Sequence, residues 1–439
     1  MISTPIVDFV RKYAKENKAR FHMPGHKGAP FLGFEGLDIT EIQGADDLYY
    51  PDGIILESEK NAASLFGTSR TVYTAGGSTQ SIQAMLFAAY QRADKNKPFV
   101  LAGRNAHKAF IYAAAKLGFD VEWLYPETDN GGICSCLITA EKLEEKLISL
   151  SLKPFAVYIT SPDYLGGMAD IKSISAVCRK YNVPLLVDNA HGAYLAFCKE
   201  KNLHPIALGA DMCCDSAHKT LPVLTGGSYL HCAQSNLYGF ADTVKAATAV
   251  FGSTSPSYLI LQSLDLCNKY INEKIREDIA ECTKKVNEIR AVMKNKGIAD
   301  VSSEPLKITA VYPDAEHFRA YGIEPEYADG EYIVFMLSPF NSDEDFEKLI
   351  AAFSAVASIR PTRSNDRGFV KSQARISVRE AVFAQSETVD VETAVGRICA
   401  APTVSCPPAI PIAVSGEIIA VEHIELFKIY GINKIDVVK

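Results

Sequence analysis

The chain has 439 residues, 48% of them apolar and 22% charged, which suits two or three domains of an ordinary globular protein. That excludes a disordered tail, a collagen-like repeat and a coiled coil. A net charge of −7, from 45 basic and 52 acidic side chains with no clustered basic run, argues against nucleic acid as a partner.

The start, MISTPIVDFVRKYAKENKARF, is amphipathic and charged throughout, which is not the pattern of a signal peptide. From about residue 70, apolar runs of strand length alternate with helical patterns. A helix is expected over Ser81 to Gln91, a strand from Pro98, a helix from His107 to Leu117, and a strand from Val121. A helix near Ala140 to Leu150, a strand from Phe155 to Thr160, a helix from Ile171 to Tyr181 and a strand from Pro184 to Asp188 follow. Such alternation predicts βαβ units and a mainly parallel sheet. One long helix is expected from about Leu264 to Lys296, stopped by Gly297. Beyond it the composition shifts: strands at Lys307 to Tyr312 and Tyr332 to Leu337, and a helix near Asp343 to Val356, form a smaller α+β domain. The polar segment Arg360 to Arg367 is expected as an exposed loop.

The longest uncharged stretch, between Arg397 and Glu417, carries Pro402, Pro407, Pro408 and Pro411. Four prolines would break a spanning helix, so the expectation is a rigid buried turn region and no membrane span. Eleven cysteines are irregularly spaced, with only Cys134-Ser-Cys136 and Cys213-Cys214 close together. Their pattern predicts reduced thiols in the cytoplasm, without a disulfide framework or a zinc site.

Three polar features fall just after predicted strands, where ligands of parallel α/β sheets sit. They are Val187-Asp188-Asn189-Ala190-His191, Asp215-Ser216-Ala217-His218-Lys219-Thr220, and Ala75-Gly76-Gly77-Ser78-Thr79 leading into a helix. Each alone is weak; together they describe a pyridoxal 5'-phosphate site. Lys219 sits on a polar turn suited to a Schiff base, and Asp188 can face the pyridine nitrogen so that the ring acts as an electron sink. Gly77, Ser78 and Thr79 offer backbone N–H groups and hydroxyls to a phosphate at a helix start. His107 is either the flat group against the ring or an ordinary half-buried helix residue.

With these residues in view, the chain resembles the ornithine/lysine/arginine decarboxylase family, in a short form without a wing domain. The resemblance rests on FHMPGHKG (21 to 28), DITEIQGADDLYYPDGIILESEKNAASLFG (38 to 67), ITSPDYLGGMADI (159 to 171), VDNAHGAYLAF (187 to 197) and DSAHKTL (215 to 221). STSPSY (253 to 258) and PPAIP…GEII (407 to 419) carry it into the last third. It implies an aspartate-aminotransferase-like large domain, pyridoxal phosphate fold type I, over residues 46–297. A segment packing near the active site would cover 1–45 and a small C-terminal domain 298–439. It also implies a homodimer, or a multiple of dimers, with shared active sites. By the same resemblance Lys219 carries the cofactor, Asp188 holds the ring nitrogen, His107 stacks on the ring, and Ser78, Thr79, Ser216 and His218 surround the phosphate. Ser253 and Thr254 would reach the neighbouring subunit's phosphate, and His191 would stand close to the cofactor. The chain departs from the family pattern at Gly226, where Gln is common, at Ala75, where Asn opens the phosphate loop, and at Asn189, where short-form relatives carry an acid.

The implied activity is α-decarboxylation of lysine, arginine or ornithine to an amine and carbon dioxide, in polyamine metabolism or acid consumption. Lys219 or His218 would return the proton to Cα. Glu41, Asp46 and Asp47 are either carboxylates for the cationic end of the substrate or a solvated acidic loop. An aminotransferase or other lyase stands as the alternative, with Arg375 or Arg379 clamping the substrate carboxylate. A catalytically silent regulator would lack Lys219 or Asp188, and both are present. His22 and His26 lie in a tight loop and are assigned no ligand, so no metal is expected. Tyr164 either approaches the cofactor or packs, and Trp123 is read as core.

Overall fold

The computed structural model describes residues 2–94, 96–127, 132–356, 368–404 and 408–439. The chain begins with α1 (Pro5–Lys15), α2 (Ile54–Phe66), β1 (Arg70–Thr74), α3 (Gly77–Tyr90), β2 (Phe99–Gly103), α4 (Lys108–Leu117) and β3 (Asp120–Leu124). It continues through α5 (Ala140–Ser149), β4 (Ala156–Thr160), α6 (Ile171–Lys180), β5 (Leu185–Asp188), β6 (Met212–Asp215), α7 (Ala217–Thr220) and β7 (Ser228–Cys232). Then come α8 (Phe240–Phe251), α9 (Tyr258–Glu273), α10 (Ile275–Asn295), β8 (Lys307–Val311), α11 (Ala315–Ala320), β9 (Tyr327–Ala328), β10 (Tyr332–Met336) and α12 (Asp343–Ala355). The last elements are α13 (Val378–Phe383), β11 (Ser386–Asp390), β12 (Thr403–Val404), β13 (Pro411–Ala413), α14 (Val421–Ile429) and β14 (Lys434–Val438). Two compact units form, one from Met1–Arg92 with Pro184–Asp278, the other from Ala93–Val183 with Ile279–Lys439.

In the first unit β5 runs parallel to β6, pairing Asp188 with Cys214, while β7 runs antiparallel to both β6 and β1. Every residue of β5, β6 and β7 is buried, as expected for strands covered on both faces. Phe66 fills the core at one end, its ring centroid 4.9 Å from Phe197 and 5.4 Å from Tyr229. The start of α1 is anchored by Asp265, whose carboxylate accepts the amides of Ile6 and Val7 at 3.0 Å each.

In the second unit β2 pairs in parallel with β3 and β4. Thr139 and Asp170 cap α5 and α6 with their side-chain oxygens, which is why those helices start where they do. The strands β8, β10 and β9 form an antiparallel sheet, and β11 pairs with β14. Arg104 is buried and donates to the carbonyls of Pro411 (2.8 Å) and Ile412 (3.0 Å), with Glu417 at 3.4 Å. This pins the proline-rich segment, whose described residues Pro408 to Glu417 are all buried. Trp123 is half-buried, 5.2 Å beneath the Arg104 guanidinium.

Two sequence expectations need correction or setting aside. The single helix expected from Leu264 to Lys296 is two, α9 and α10, because Lys274 leaves the helical region at φ −139°. Neither Gly nor Pro marks that break. The loop Arg360 to Arg367 lies outside the described residues. Among the described residues, no helix is long and apolar enough to cross a membrane.

Candidate active site

The carboxyl end of β6 turns directly into α7, a single helical turn that presents Lys219 to solvent while Ser216 and Ala217 stay buried. The Lys219 Nζ lies 2.9 Å from His191 Nε2. His191 follows the end of the neighbouring strand β5, where Asp188 is buried. Asp188 Oδ1 accepts the Ala190 amide at 3.1 Å and sits 3.7 Å from Cys214 Sγ. The parallel pairing of β5 and β6 therefore brings Asp188, His191 and Lys219 to one edge.

The loop before α3 reaches the same edge. Gly77, at φ +66°, donates its amide to the Gly226 carbonyl at 2.7 Å. A Cβ on Gly77 would lie 3.8 Å from His218 Cε1, which places this loop beside the Lys219 turn. Gly226 has φ +100°, and a Cβ there would come within 3.0 Å of the Ala75 carbonyl. A long side chain at 226 does not fit this turn, which accounts for the departure from Gln. No side chain caps α3, so its first-turn amides at Ser78 and Thr79 point from a positive helix end toward the loop. The buried Oγ of Ser216 has no hydrogen-bond partner among the described residues.

His218 donates its ring Nδ1–H to the Gly227 carbonyl at 2.9 Å. Burial, helped by the neighbouring Lys219, holds its pKa below the ordinary histidine value despite that carbonyl. The neutral ring with Nδ1 protonated leaves Nε2 as an acceptor.

Gln80 and Tyr49, whose roles no sequence motif reveals, brace this loop. Gln80 accepts the Gly76 amide (3.0 Å) and donates to the Thr248 carbonyl (2.9 Å), while the Tyr49 hydroxyl donates to the Ser253 carbonyl (2.9 Å). Ser253 and Thr254 form an exposed turn whose hydrogen bonds run to Tyr49 and to the Ser255 amide. His107 belongs to the second unit, where its Nδ1 accepts the Ala109 amide at 3.1 Å and caps α4.

Other candidates are drawn into structural roles. Asp46 accepts the amides of Asp47, Asp52, Gly53 and Ile55 at 2.8–3.0 Å, so it caps the approach to α2. Asp47 accepts the amides of Tyr49 and Tyr50, and Glu41 accepts the Thr40 hydroxyl. Arg379 donates to the carbonyls of Ala115 (2.9 Å) and Lys116 (3.0 Å) at the end of α4, and Arg375 is exposed. His22 pairs with the Tyr13 hydroxyl and His26 with Asp38, which uses both histidines in loop folding. Tyr164 packs, its hydroxyl 2.9 Å from Glu326 and its ring edge-on to Tyr327.

A lysine on a short turn, a buried aspartate one strand away, an orphaned buried hydroxyl and an uncapped helix start fit pyridoxal phosphate on the residues present. Comparison with known proteins agrees. Residues 4–349 match the family described as Orn/Lys/Arg decarboxylase, major domain. The chain is 30% identical to an arginine decarboxylase of Bacillus subtilis, over 97% of this chain and 93% of that protein. Its fold is similar to that of lysine decarboxylase A from Pseudomonas aeruginosa, with TM-score 0.79 and 17% identity over 99% of this chain and 80% of that one. The constitutive lysine decarboxylase of Escherichia coli is similar at TM-score 0.76 and 17% identity, over 100% of this chain and 82% of the other. The α/β architecture is thus that of pyridoxal-phosphate enzymes of fold type I, and the chain belongs to the ornithine/lysine/arginine decarboxylase family, enzymes that remove the α-carboxylate of basic amino acids with pyridoxal phosphate.

Proposed function

We propose that this protein decarboxylates arginine, or failing that lysine or ornithine, at Cα, with Lys219 as the attachment point of the cofactor. The observation that carries the residue assignment is the juxtaposition of Lys219 Nζ and His191 at 2.9 Å beside the buried Asp188. Arginine is placed first because a relative 30% identical over nearly the whole chain is an arginine decarboxylase.

Bound pyridoxal phosphate would supply the sink for the electron pair left when carbon dioxide departs. The chain's own residues do the rest. Asp188, desolvated at the end of β5, would hold a proton on the ring nitrogen through a charge-assisted hydrogen bond. Ser216 Oγ, the Gly77–Thr79 loop and the start of α3 would take the phosphate, with His218 oriented alongside by its bond to the Gly227 carbonyl. His191 accepts a proton from Lys219 Nζ and so readies the amine, and Lys219 or His218 returns a proton to Cα. His107 would lie against the ring face. Ser253 and Thr254, exposed within one chain, would reach the phosphate of a second copy.

The second copy is supported by exposed apolar side chains in the first unit: Phe21 is 96%, Phe31 90% and Leu32 70% exposed. We read 1–45 as the arm that docks there, 46–297 as the large domain and 298–439 as the small one. The ten described cysteines form no disulfide with one another, which supports a reducing compartment and hence the cytoplasm. An amine product is compatible with polyamine metabolism and equally with acid consumption. Of the two arginines a transaminase would need, Arg379 is held by the end of α4, which leaves Arg375 for that alternative.

The test is to incubate the purified protein with arginine, lysine and ornithine separately and to quantify amine and carbon dioxide. Agmatine and carbon dioxide in equal amounts from arginine are expected. Conversion of a keto acid to an amino acid, without carbon dioxide, would overturn the proposal.

A further inference from the structure

Below the residues assigned above lies a second polar group that the chemistry has not used. Asp215, wholly buried, ends β6 one residue before Ser216. Its Oδ2 accepts from His204 Nε2 at 3.0 Å and from His231 Nε2 at 3.2 Å, and its Oδ1 accepts from Asn189 Nδ2 at 2.6 Å. His231 is held in turn by Thr71 Oγ1 at 2.8 Å on its other ring nitrogen. Burial alone would raise the Asp215 carboxyl pKa, but the two histidines outweigh it and hold it below the usual carboxylate range. Three donors thus converge on one buried anion.

Asn189 immediately follows Asp188, and Asp215 stands four residues before Lys219. Side chains alternate across a strand, so Asp188 and Cys214 meet on one face while Asn189 and Asp215 meet on the other. The Asn189 side-chain oxygen has no hydrogen-bond partner among the described residues, so the hydrogen bond to Asp215 is what orients this amide. An acid at 189 would instead put two carboxylates face to face.

We propose that Asn189 and Asp215 are positioning residues for the decarboxylation: their hydrogen bond, on the far face of the sheet, fixes the spacing between the strand end carrying Asp188 and the turn carrying Lys219. This rests on the decarboxylase reading. The bond joins the two strand ends at the point where the ring-nitrogen partner and the attachment lysine diverge. A small relative shift there misplaces the reacting atoms without emptying the site.

The test uses the full-length holoenzyme and compares wild type, Asn189→Asp, Asn189→Ala, and the exchange variant carrying both Asn189→Asp and Asp215→Asn. In the exchange variant the amide introduced at position 215 still offers its oxygen to both histidines, and its amine donates to the carboxylate introduced at position 189. Asn189→Asp is expected to keep its cofactor and a KM within about twofold while kcat falls about tenfold, and the exchange variant to recover kcat to within about threefold. The visible absorption band of the bound cofactor reads the same geometry without turnover: it should shift in Asn189→Asp and return in the exchange variant. Asn189→Ala keeps the test available if Asn189→Asp does not fold, since it removes the link without adding charge, and it should show the same loss. Unchanged kcat and band in Asn189→Ala, with only a lowered melting temperature, would overturn the proposal. So would an exchange variant as impaired as Asn189→Asp, or one equivalent of metal in the wild-type protein, which would make His204, Asp215 and His231 ligands. Wild type that releases no carbon dioxide from any of the three amino acids refutes the decarboxylase reading instead, and the band shift then still decides the positioning claim.

Discussion

Asp163, in the Ser161-Pro-Asp-Tyr segment, gives the stability of this protein a distinctive pH dependence. It is fully buried in the second unit, where its Oδ2 accepts the Ser135 hydroxyl at 2.5 Å and its Oδ1 the Gly167 amide at 2.7 Å. Burial outweighs those bonds and the attraction of Lys307, and raises its pKa from 3.8 to about 6. Between those values the folded protein holds a proton that the unfolded chain has lost. Stability therefore falls as pH rises from about 4 to about 6, by about 3 kcal/mol at ~1.4 kcal/mol per pH unit, and this penalty persists at neutral pH. Asp163→Asn removes the titration and keeps the geometry: the Gly167 amide still finds an oxygen, and the Ser135 hydroxyl turns to accept from the new amine. Urea unfolding of both proteins from pH 4 to pH 7 checks this. The variant should match wild type near pH 4 and gain up to about 3 kcal/mol by pH 7. Asp265, also raised to about 6, contributes equally to both proteins and cancels in the difference. A difference that is the same at every pH, or a variant that loses stability most at pH 7, would refute the reasoning.

A Cβ added at Gly252 would overlap the Tyr49 hydroxyl and the Gln80 amide nitrogen, so Gly252→Ala should loosen the brace on Gly76 and Ser253. Its expected result is weaker cofactor retention in dialysis, with wild-type retention as the contrary outcome. Asp46→Ala removes a cap and should cost about 1–2 kcal/mol in urea unfolding while leaving the substrate KM unchanged; a raised KM would return Asp46 to the substrate pocket. Glu59 accepts the Tyr73 amide at 2.9 Å and pairs with Lys245 in the core. Lys245→Met should therefore cost about 3–5 kcal/mol, because it leaves the Glu59 carboxylate buried and unpaired, and a nearly silent variant would contradict that account.

The alternation of strands and helices was legible because each buried strand from Phe99 to Asp188 is a continuous apolar run and each helix between them carries an amphipathic stripe. The strand-end polar motifs were legible for the same reason, since polar residues directly after such a run must face the sheet edge. The break at Lys274 was not, because neither Gly nor Pro stands there and a lysine between helical residues carries no stop signal of its own. Nor could the sequence show that Asp46 is a helix cap, since an acidic loop and a capping carboxylate read alike until the backbone amides are placed around it. The Asp215 cluster was hidden for a further reason. His204 lies in a loop and His231 on an antiparallel strand, and only the pairing of Cys213 with His231 across β6 and β7 assembles them.

The central claim is that Lys219 carries the cofactor for decarboxylation. It is tested most directly by visible absorption and carbon dioxide release from wild type and Lys219→Ala, purified with pyridoxal phosphate and given the preferred amino acid. The account predicts a yellow, active wild type and a colourless variant with no release above background. A yellow Lys219→Ala that releases carbon dioxide at the wild-type rate would contradict it.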